Sequence, residues 1–360
     1  MSTIITKVDA FLLQVPFTGI LRTGIDTASP SDMAILLVRL TTDGGLTGWG
    51  EAFGHGCCRA TKEAIESLVG QALIGADAGD IAGLSLRLQQ RFHLFGRTGP
   101  VRYALAGIDI ALWDLAGKFA GLPLYRLLGG QPREAVPAYA SLERYGARET
   151  LVAACERAVA EGYRAIKLHE IDIGLIEAAR QAVGPGYMLM ADTNCPWTAE
   201  EAFDKARTIT GCNLRWLEEP VWPPEDHASI ATVRRIGTKT AAGENMVSLM
   251  EFRNFFEADA LDVAQPSVAK IGLTETLKVI ALAEAFGVTV APHCAYFGSG
   301  YLAALHLVAA MPGDILFERL FLDFPASPFA PFTTAIDGTI AVPQSPGLGC
   351  EPAAEWIQHG

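Results

Sequence analysis

Four short runs decide how this chain folds: YRAIKLH at residues 163–169, YMLMADTN at 187–194, NLRWLEEP at 213–220 and KTAAGEN at 239–245. Each is an apolar stretch of strand length that ends on charged or polar residues. Amphipathic stretches of helical period separate them, such as GLIEAARQAVG at 174–184 and TAEEAFDKARTI at 198–209. The same alternation extends outward through AVPAYA (135–140), ALDVAQPS (260–267), VTVAPHC (288–294) and DILFERLF (314–321). Counted from Val136, these are eight strand candidates. Eight β units over about 190 residues predict a parallel α/β barrel.

Upstream the texture differs. Ile4 to Phe17 and Ala34 to Thr41 read as strands, with a hairpin turn at Asp43–Gly45 before LTGWGEA. From Thr61 to about Gly129 the pattern is helical, and ALAGIDIALWDLAGKFAG (104–121) is apolar on more than one face, which predicts a buried helix. LLGG at 127–130 reads as its glycine stop. The expected organisation is a first domain over 1–130, a barrel over 131–325, and a Pro- and Gly-rich tail over 326–360 that returns to the first domain.

The chain has 360 residues, half of them hydrophobic and 19% charged, which excludes a disordered polypeptide. Its net charge of −12 opposes binding to phosphate backbones and anionic membranes, so nucleic acid and membrane partners are not expected. Seven cysteines without a CxxC pair argue against zinc or a disulfide framework. With no targeting segment and no apolar run near the ~20 residues that span a bilayer, a cytoplasmic protein is expected.

The acids carry the chemistry. Asp192, Glu218 and Glu244 each follow an apolar run, and consecutive members are 26 residues apart. In a barrel, three successive strands would present one carboxylate each at the C-terminal rim, where barrel chemistry occurs. A single acid there would read as a helix cap. Three at equal spacing read as hard oxygen ligands for Mg²⁺. Lys167 and His169 end the preceding strand on one face, and His293 ends a later one. These bases would flank the metal from opposite sides. No P-loop, GxSxG or GxGxxG competes.

These residues resemble the enolase superfamily, in its mandelate racemase/muconate lactonizing enzyme branch. The likeness runs through GWGEAF (48–53), GIDIALWDLAGK (107–118), LLGG (127–130), KLH (167–169), ADTN (191–194), WLEEP (216–220), GEN (243–245), PH (292–293), GYLAALHLVAA (300–310) and PGLG (346–349). It implies a modified (β/α)7β TIM-like barrel with an α+β capping domain. It also implies a homo-oligomer, a dimer or an octamer. Cap loops near residues 16–32 and 52–60 would choose the substrate, with Arg22, Thr23 and His55 as candidate contacts. Asp192, Glu218 and Glu244 would hold Mg²⁺. Glu318 would hydrogen-bond a substrate oxygen, or else pair with Arg319. The implied chemistry removes the proton α to a carboxylate and passes through an enediolate.

Two departures stand out. His169 occupies the position of the second Lys of the usual Lys-x-Lys. A lysine base must fall ~3–4 pKa units, worth ~4–5 kcal/mol, whereas histidine starts near neutrality. Ser267 occupies the position of the Asp or Lys on the sixth strand, so His293 lacks its usual carboxylate partner, and Lys270 does not match the catalytic Lys. One strong base and one general acid predict a Mg²⁺-dependent dehydratase of a sugar acid, with His169 as base assisted by Lys167 and His293 as acid, giving a 2-keto-3-deoxy acid. The alternatives are a racemase, epimerase or cycloisomerase of a carboxylate, and after them a non-catalytic binding member.

Overall fold

The computed structural model describes residues 3–19 and 32–357. Three antiparallel strands open the chain: β1 (Ile5–Pro16), β2 (Asp32–Thr42) and β3 (Thr47–Ala52), in the order β1-β2-β3. The turn between β2 and β3 falls at the expected DGG, where Gly45 adopts φ 80° and its N–H bonds Thr42 O at 2.9 Å. The predicted buried helix runs from Pro100 to Ala120 and packs on β3. Backbone meets backbone at that contact, since a Cβ on Gly50 would lie 1.9 Å from Gly107 O. Only glycine fits there, which accounts for the glycines of GWGEAF and GIDIALW. The helix stops earlier than LLGG suggests. Gly121 at φ 68° ends it, and LLGG closes a separate short helix, Leu124–Leu127.

All eight barrel strands are present: β4 (Ala135–Ser141), β5 (Ala165–Leu168), β6 (Met188–Asp192), β7 (Leu217–Glu218), β8 (Thr240–Ala242), β9 (Val263–Ala264), β10 (Thr289–Val290) and β11 (Phe317–Leu320). Neighbours from β4 to β10 pair in parallel, and β11 pairs in parallel with β4. Inside lies an apolar floor of Tyr139, Ala165, Met190, Trp216, Ala241, Val263 and Ala291. A strand returns to the same face after two residues. One pleat above that floor are Ser141, Lys167, Asp192, Glu218, Gln265 and His293. The polar layer at the mouth is therefore set by strand register. The tail adds β12 (Ala335–Ile336) and β13 (Thr339–Ala341) against the start of β4, then Leu348 N bonds Asp114 Oδ1 of the cap helix at 2.7 Å. Among the described residues no helix is long and apolar enough to cross a membrane.

Cap and barrel are joined through Glu51. Its Oε2 accepts the N–H groups of Gly298 (3.0 Å) and Gly300 (2.8 Å), at the start of the barrel helix Ser299–Ala310. A helix N-terminus favours an anion, but burial pushes the carboxyl up to about 7. The folded state thus holds this proton more tightly than the unfolded chain does. Its contribution to stability is complete below the unfolded value and is lost as pH rises through about 7. Glu51→Gln keeps the acceptor oxygen without the charge. Denaturant unfolding from pH 5 to 8 should show a flatter loss of stability than in the parent, by at most about 3 kcal/mol. Parallel curves for the two proteins would refute this account.

Candidate active site

The three acids meet as their spacing suggests. One carboxylate oxygen of each of Asp192, Glu218 and Glu244 lies within 4.8 Å of the other two. Asp192 ends β6 and Glu218 ends β7, side by side in the ladder. Glu244 arrives differently. The inward position on that strand is Gly243, whose φ of 135° turns the chain so that the next residue reaches the mouth. A Cβ at Gly243 would lie 2.7 Å from the Phe252 ring, so a side chain is excluded there.

Lys167, fully buried, lies between carboxylates. Its Nζ is 2.7 Å from Glu318 Oε1 and 3.1 Å from both Asp192 Oδ2 and Glu218 Oε1. Burial opposes its charge, yet these anions hold its pKa well above the usual lysine range. Glu218 remains under strain: burial and the neighbouring Asp192 push its carboxyl well up, although Gln265 Nε2 (2.6 Å) and Trp216 Nε1 (3.0 Å) donate to its Oε2. Glu318 also accepts from Ser141 Oγ at 2.9 Å and from Cys294 N at 2.9 Å. It does not pair with Arg319, which alternation turns away to Thr333 O at 3.0 Å and Leu322 O at 3.1 Å.

The two histidines differ in how they are held. His169 Nδ1 bonds the carbonyl of Leu142, which can only accept, so Nδ1 carries a proton and Nε2 is the nitrogen turned to the acids. Nε2 lies 3.3 Å from Asp192 Oδ2. Burial opposes the charged ring, and the Asp192 carboxylate outweighs that and raises its pKa. His293 Nε2 lies 2.8 Å from Glu244 Oε2, and its buried Nδ1 meets no hydrogen-bond partner. Ser267 stands beside it in the ladder, but its Oγ turns to Tyr296 Oη at 3.4 Å.

Of the expected substrate contacts, Arg22 and Thr23 lie outside the described residues. His55 is half-buried and packs edge-on against Phe53, with ring centroids 4.6 Å apart. Several residues at the mouth were not foreseen. Asn194 donates to Asp192 Oδ1 from its backbone N (3.0 Å) and its Nδ2 (2.9 Å). Asn245 Nδ2 donates to Glu244 Oε1 at 2.9 Å. Arg144 spans strand ends, donating to His169 O at 2.6 Å and to Thr193 O at 3.1 Å. Adjacency marks both asparagines in ADTN and GEN, and period two marks Trp216 beside Glu218. Nothing local marks Arg144.

The donor set suits a hard divalent cation. It consists of carboxylate oxygens, each oriented by an outer N–H donor. Four basic side chains contact these acids: Lys167, His169, Lys270 and His293. Glu218 and the adjacent buried Glu219 are pushed up, first by burial and then by neighbouring acids.

Residues 8–129 match the mandelate racemase/muconate lactonizing enzyme N-terminal domain, and residues 150–356 match the enolase C-terminal domain-like family. The chain is 33% identical to a D-galactarolactone cycloisomerase of Agrobacterium fabrum, over 88% of this chain and 89% of that one. It is 32% identical to a D-galactonate dehydratase of Ralstonia nicotianae, over 76% and 74%. The crystal structure of a racemase from Streptomyces coelicolor with bound magnesium superposes with a TM-score of 0.88, at 30% identity and 99% coverage of both chains. Two domain matches in the right order, over a barrel whose mouth gathers acids and bases, make this chain an enzyme of the enolase superfamily, in its mandelate racemase/muconate lactonizing enzyme branch.

Proposed function

We propose that the enzyme is a Mg²⁺-dependent acid-sugar dehydratase. The observation that carries this reading is the inequality of the two histidines. Each has a carboxylate beside Nε2, Asp192 for His169 and Glu244 for His293, but only His169 has its ring fixed at Nδ1, by the Leu142 carbonyl. His293 has no orienting partner at Nδ1. A racemase needs a competent base on each face of the α carbon, whereas elimination needs one base and one acid. When bound to Asp192, Glu218 and Glu244, the metal supplies positive charge against the substrate carboxylate.

In this reading His169 Nε2 takes the α proton, and the electron pair moves toward the carboxylate. Lys167 keeps Asp192, Glu218 and Glu318 in place around that developing charge. His293 gives its proton to the β-hydroxyl, the C–O bond breaks, and water leaves. The enol that remains takes up a proton and becomes a 2-keto-3-deoxy acid. A cycloisomerase is the second reading, and the same observation favours it: one base and one acid also suffice to open or close a ring without loss of water. Formation of a 2-keto acid from a panel of sugar monoacids and diacids separates the two.

Two predictions test these roles. Asp192→Asn, Glu218→Gln and Glu244→Gln should each weaken Mg²⁺ binding by more than ~100-fold in calorimetry, beyond what loss of an outer-shell partner costs. The fold should survive, and metal-free Glu218→Gln should unfold no earlier than the parent, because it removes a buried charge that the site disfavours. Full activity in chelator-treated enzyme would rule the metal out.

The second concerns the division of labour. His293→Asn should abolish elimination yet leave exchange of the α proton measurable in D₂O, because an intermediate without its acid can only take its proton back. His169→Ala should abolish both. Ser267→Asp should give His293 an orienting anion and bring exchange on the second face. The opposite pattern, with exchange lost in His293→Asn and kept in His169→Ala, would exchange the roles.

A further inference from the structure

Lys270 has no part in the dehydration above, yet its ammonium is buried where cap and barrel meet, with its side chain 4% exposed. It stands in the first turn of the helix Val268–Phe286. Three neighbours surround Nζ: Asn245 Oδ1 at 2.8 Å, Glu244 Oε1 at 3.4 Å, and the ring of Phe53, whose centroid is 4.5 Å away. An ammonium has three N–H groups, and these three neighbours account for them. Burying it this deeply is tolerable only with such partners. Two of them belong to the GEN segment that carries the expected metal ligand. The third belongs to the cap.

Phe53 opens the cap loop that follows β3. Its N–H also bonds Ala269 O at 3.1 Å, one residue before Lys270. Its ring packs edge-on against His55 (4.6 Å) and Tyr103 (5.1 Å), two side chains of the cap. The contact between loop and barrel therefore ends on a single positive charge, and a carboxylate and an aromatic face share that charge.

We propose that Lys270 is a positioning residue that couples the metal ligand Glu244 to the cap loop at Phe53, so that loading the metal tightens the loop over the substrate. This rests on the Mg²⁺ reading given above. A divalent cation takes up the charge of Glu244 and repels the ammonium, which is left with Asn245 and the Phe53 ring. A cation freed from a carboxylate binds an aromatic face more strongly. Coupling is reciprocal, so whatever draws Lys270 toward Phe53 also favours metal binding.

The signs of the outcomes differ from those of a structural role. Lys270→Met keeps the length and packing of the stem but removes the competitor for Glu244. By calorimetry on the full-length protein it should bind Mg²⁺ at least about threefold more tightly, where simple damage to the site would weaken binding. Phe53→Leu should release the ammonium onto Glu244 and weaken Mg²⁺ binding about two- to fivefold, the reach of one cation–π contact. Combined with Lys270→Met, the Phe53 substitution should have no effect on Mg²⁺ affinity.

Hydrogen exchange supplies the second readout. Saturating Mg²⁺ should slow exchange of the backbone amides of residues 53–57 in the parent and in Lys270→Arg, and leave them unchanged in Lys270→Met. Weaker or equal Mg²⁺ binding by Lys270→Met, or an equal Phe53→Leu effect in both backgrounds, overturns the coupling. If Lys270→Met does not fold, Phe53→Leu alone decides, since unchanged affinity and unchanged loop exchange overturn it. A parent protein that binds no Mg²⁺ overturns the metal assignment first, before any variant is compared.

Discussion

The ammonium of Lys167, fully buried between Asp192, Glu218 and Glu318, is the interaction on which the barrel mouth depends. At such distances, and at an effective dielectric near 20, each pair is worth about 5 kcal/mol before desolvation. Like charges crowded into the same space repel on the same scale. Without Lys167 the three acids could not remain ionised together. Even with it the balance is incomplete, since Asp192 and Glu318 are held low while Glu218 is pushed up. Carboxylates gathered in this way are the donor set that a hard divalent cation would take.

Strand register explains why these residues meet at all. Met190 and Asp192, Trp216 and Glu218, and Ala291 and His293 are each two residues apart, so an apolar floor and a reactive layer are written in the same strands. This much was legible in the sequence, because a period of two leaves a local trace. The equal spacing of the three acids was legible too, but its geometry was not. Asp192 and Glu218 sit in phase with the pleat, whereas Glu244 is one residue out of phase and reaches the mouth only because Gly243 turns the backbone. The donor Arg144 comes from a loop distant in sequence from the groups it bonds. No window of local pattern contains it.

The cap was legible as a set of elements but not as a set of contacts. GIDIALWDLAGK carries two acids that could pass for catalytic groups. Both are structural. Asp114 accepts the N–H groups of Trp49 (2.8 Å) and Leu348 (2.7 Å), pinning the cap sheet and the tail to one helix. Asp109 accepts Thr274 N at 2.8 Å, just after Gly272 breaks the helix Val268–Phe286 with φ 80°. Arg102 bonds Ile271 O at 3.0 Å on the other side of that break. The cap helix thus holds the segment that presents Ser267 and Lys270, and the two glycine contacts of β3 bring Glu51 within reach of Gly298 and Gly300.

That arrangement gives the change at position 267 its meaning. Ser267 Oγ, Tyr296 Oη and the backbone of Ala269 and His293 form one small network, in which Tyr296 Oη donates to His293 O at 3.1 Å and accepts from Ala269 N at 3.2 Å. The network fixes the main chain of His293 and leaves its ring without a partner at Nδ1. A base gains from an anion behind it, because the anion stabilises the charge the base acquires. An acid is weakened by such an anion, since it must lose that charge. With Ser267 and Tyr296 at that position, no carboxylate stands behind the His293 ring at Nδ1, while its Nε2 faces Glu244 Oε2 at 2.8 Å. The His169 ring is held at Nδ1 by the Leu142 carbonyl, and since each ring has a carboxylate beside Nε2, the two faces differ in what stands behind Nδ1.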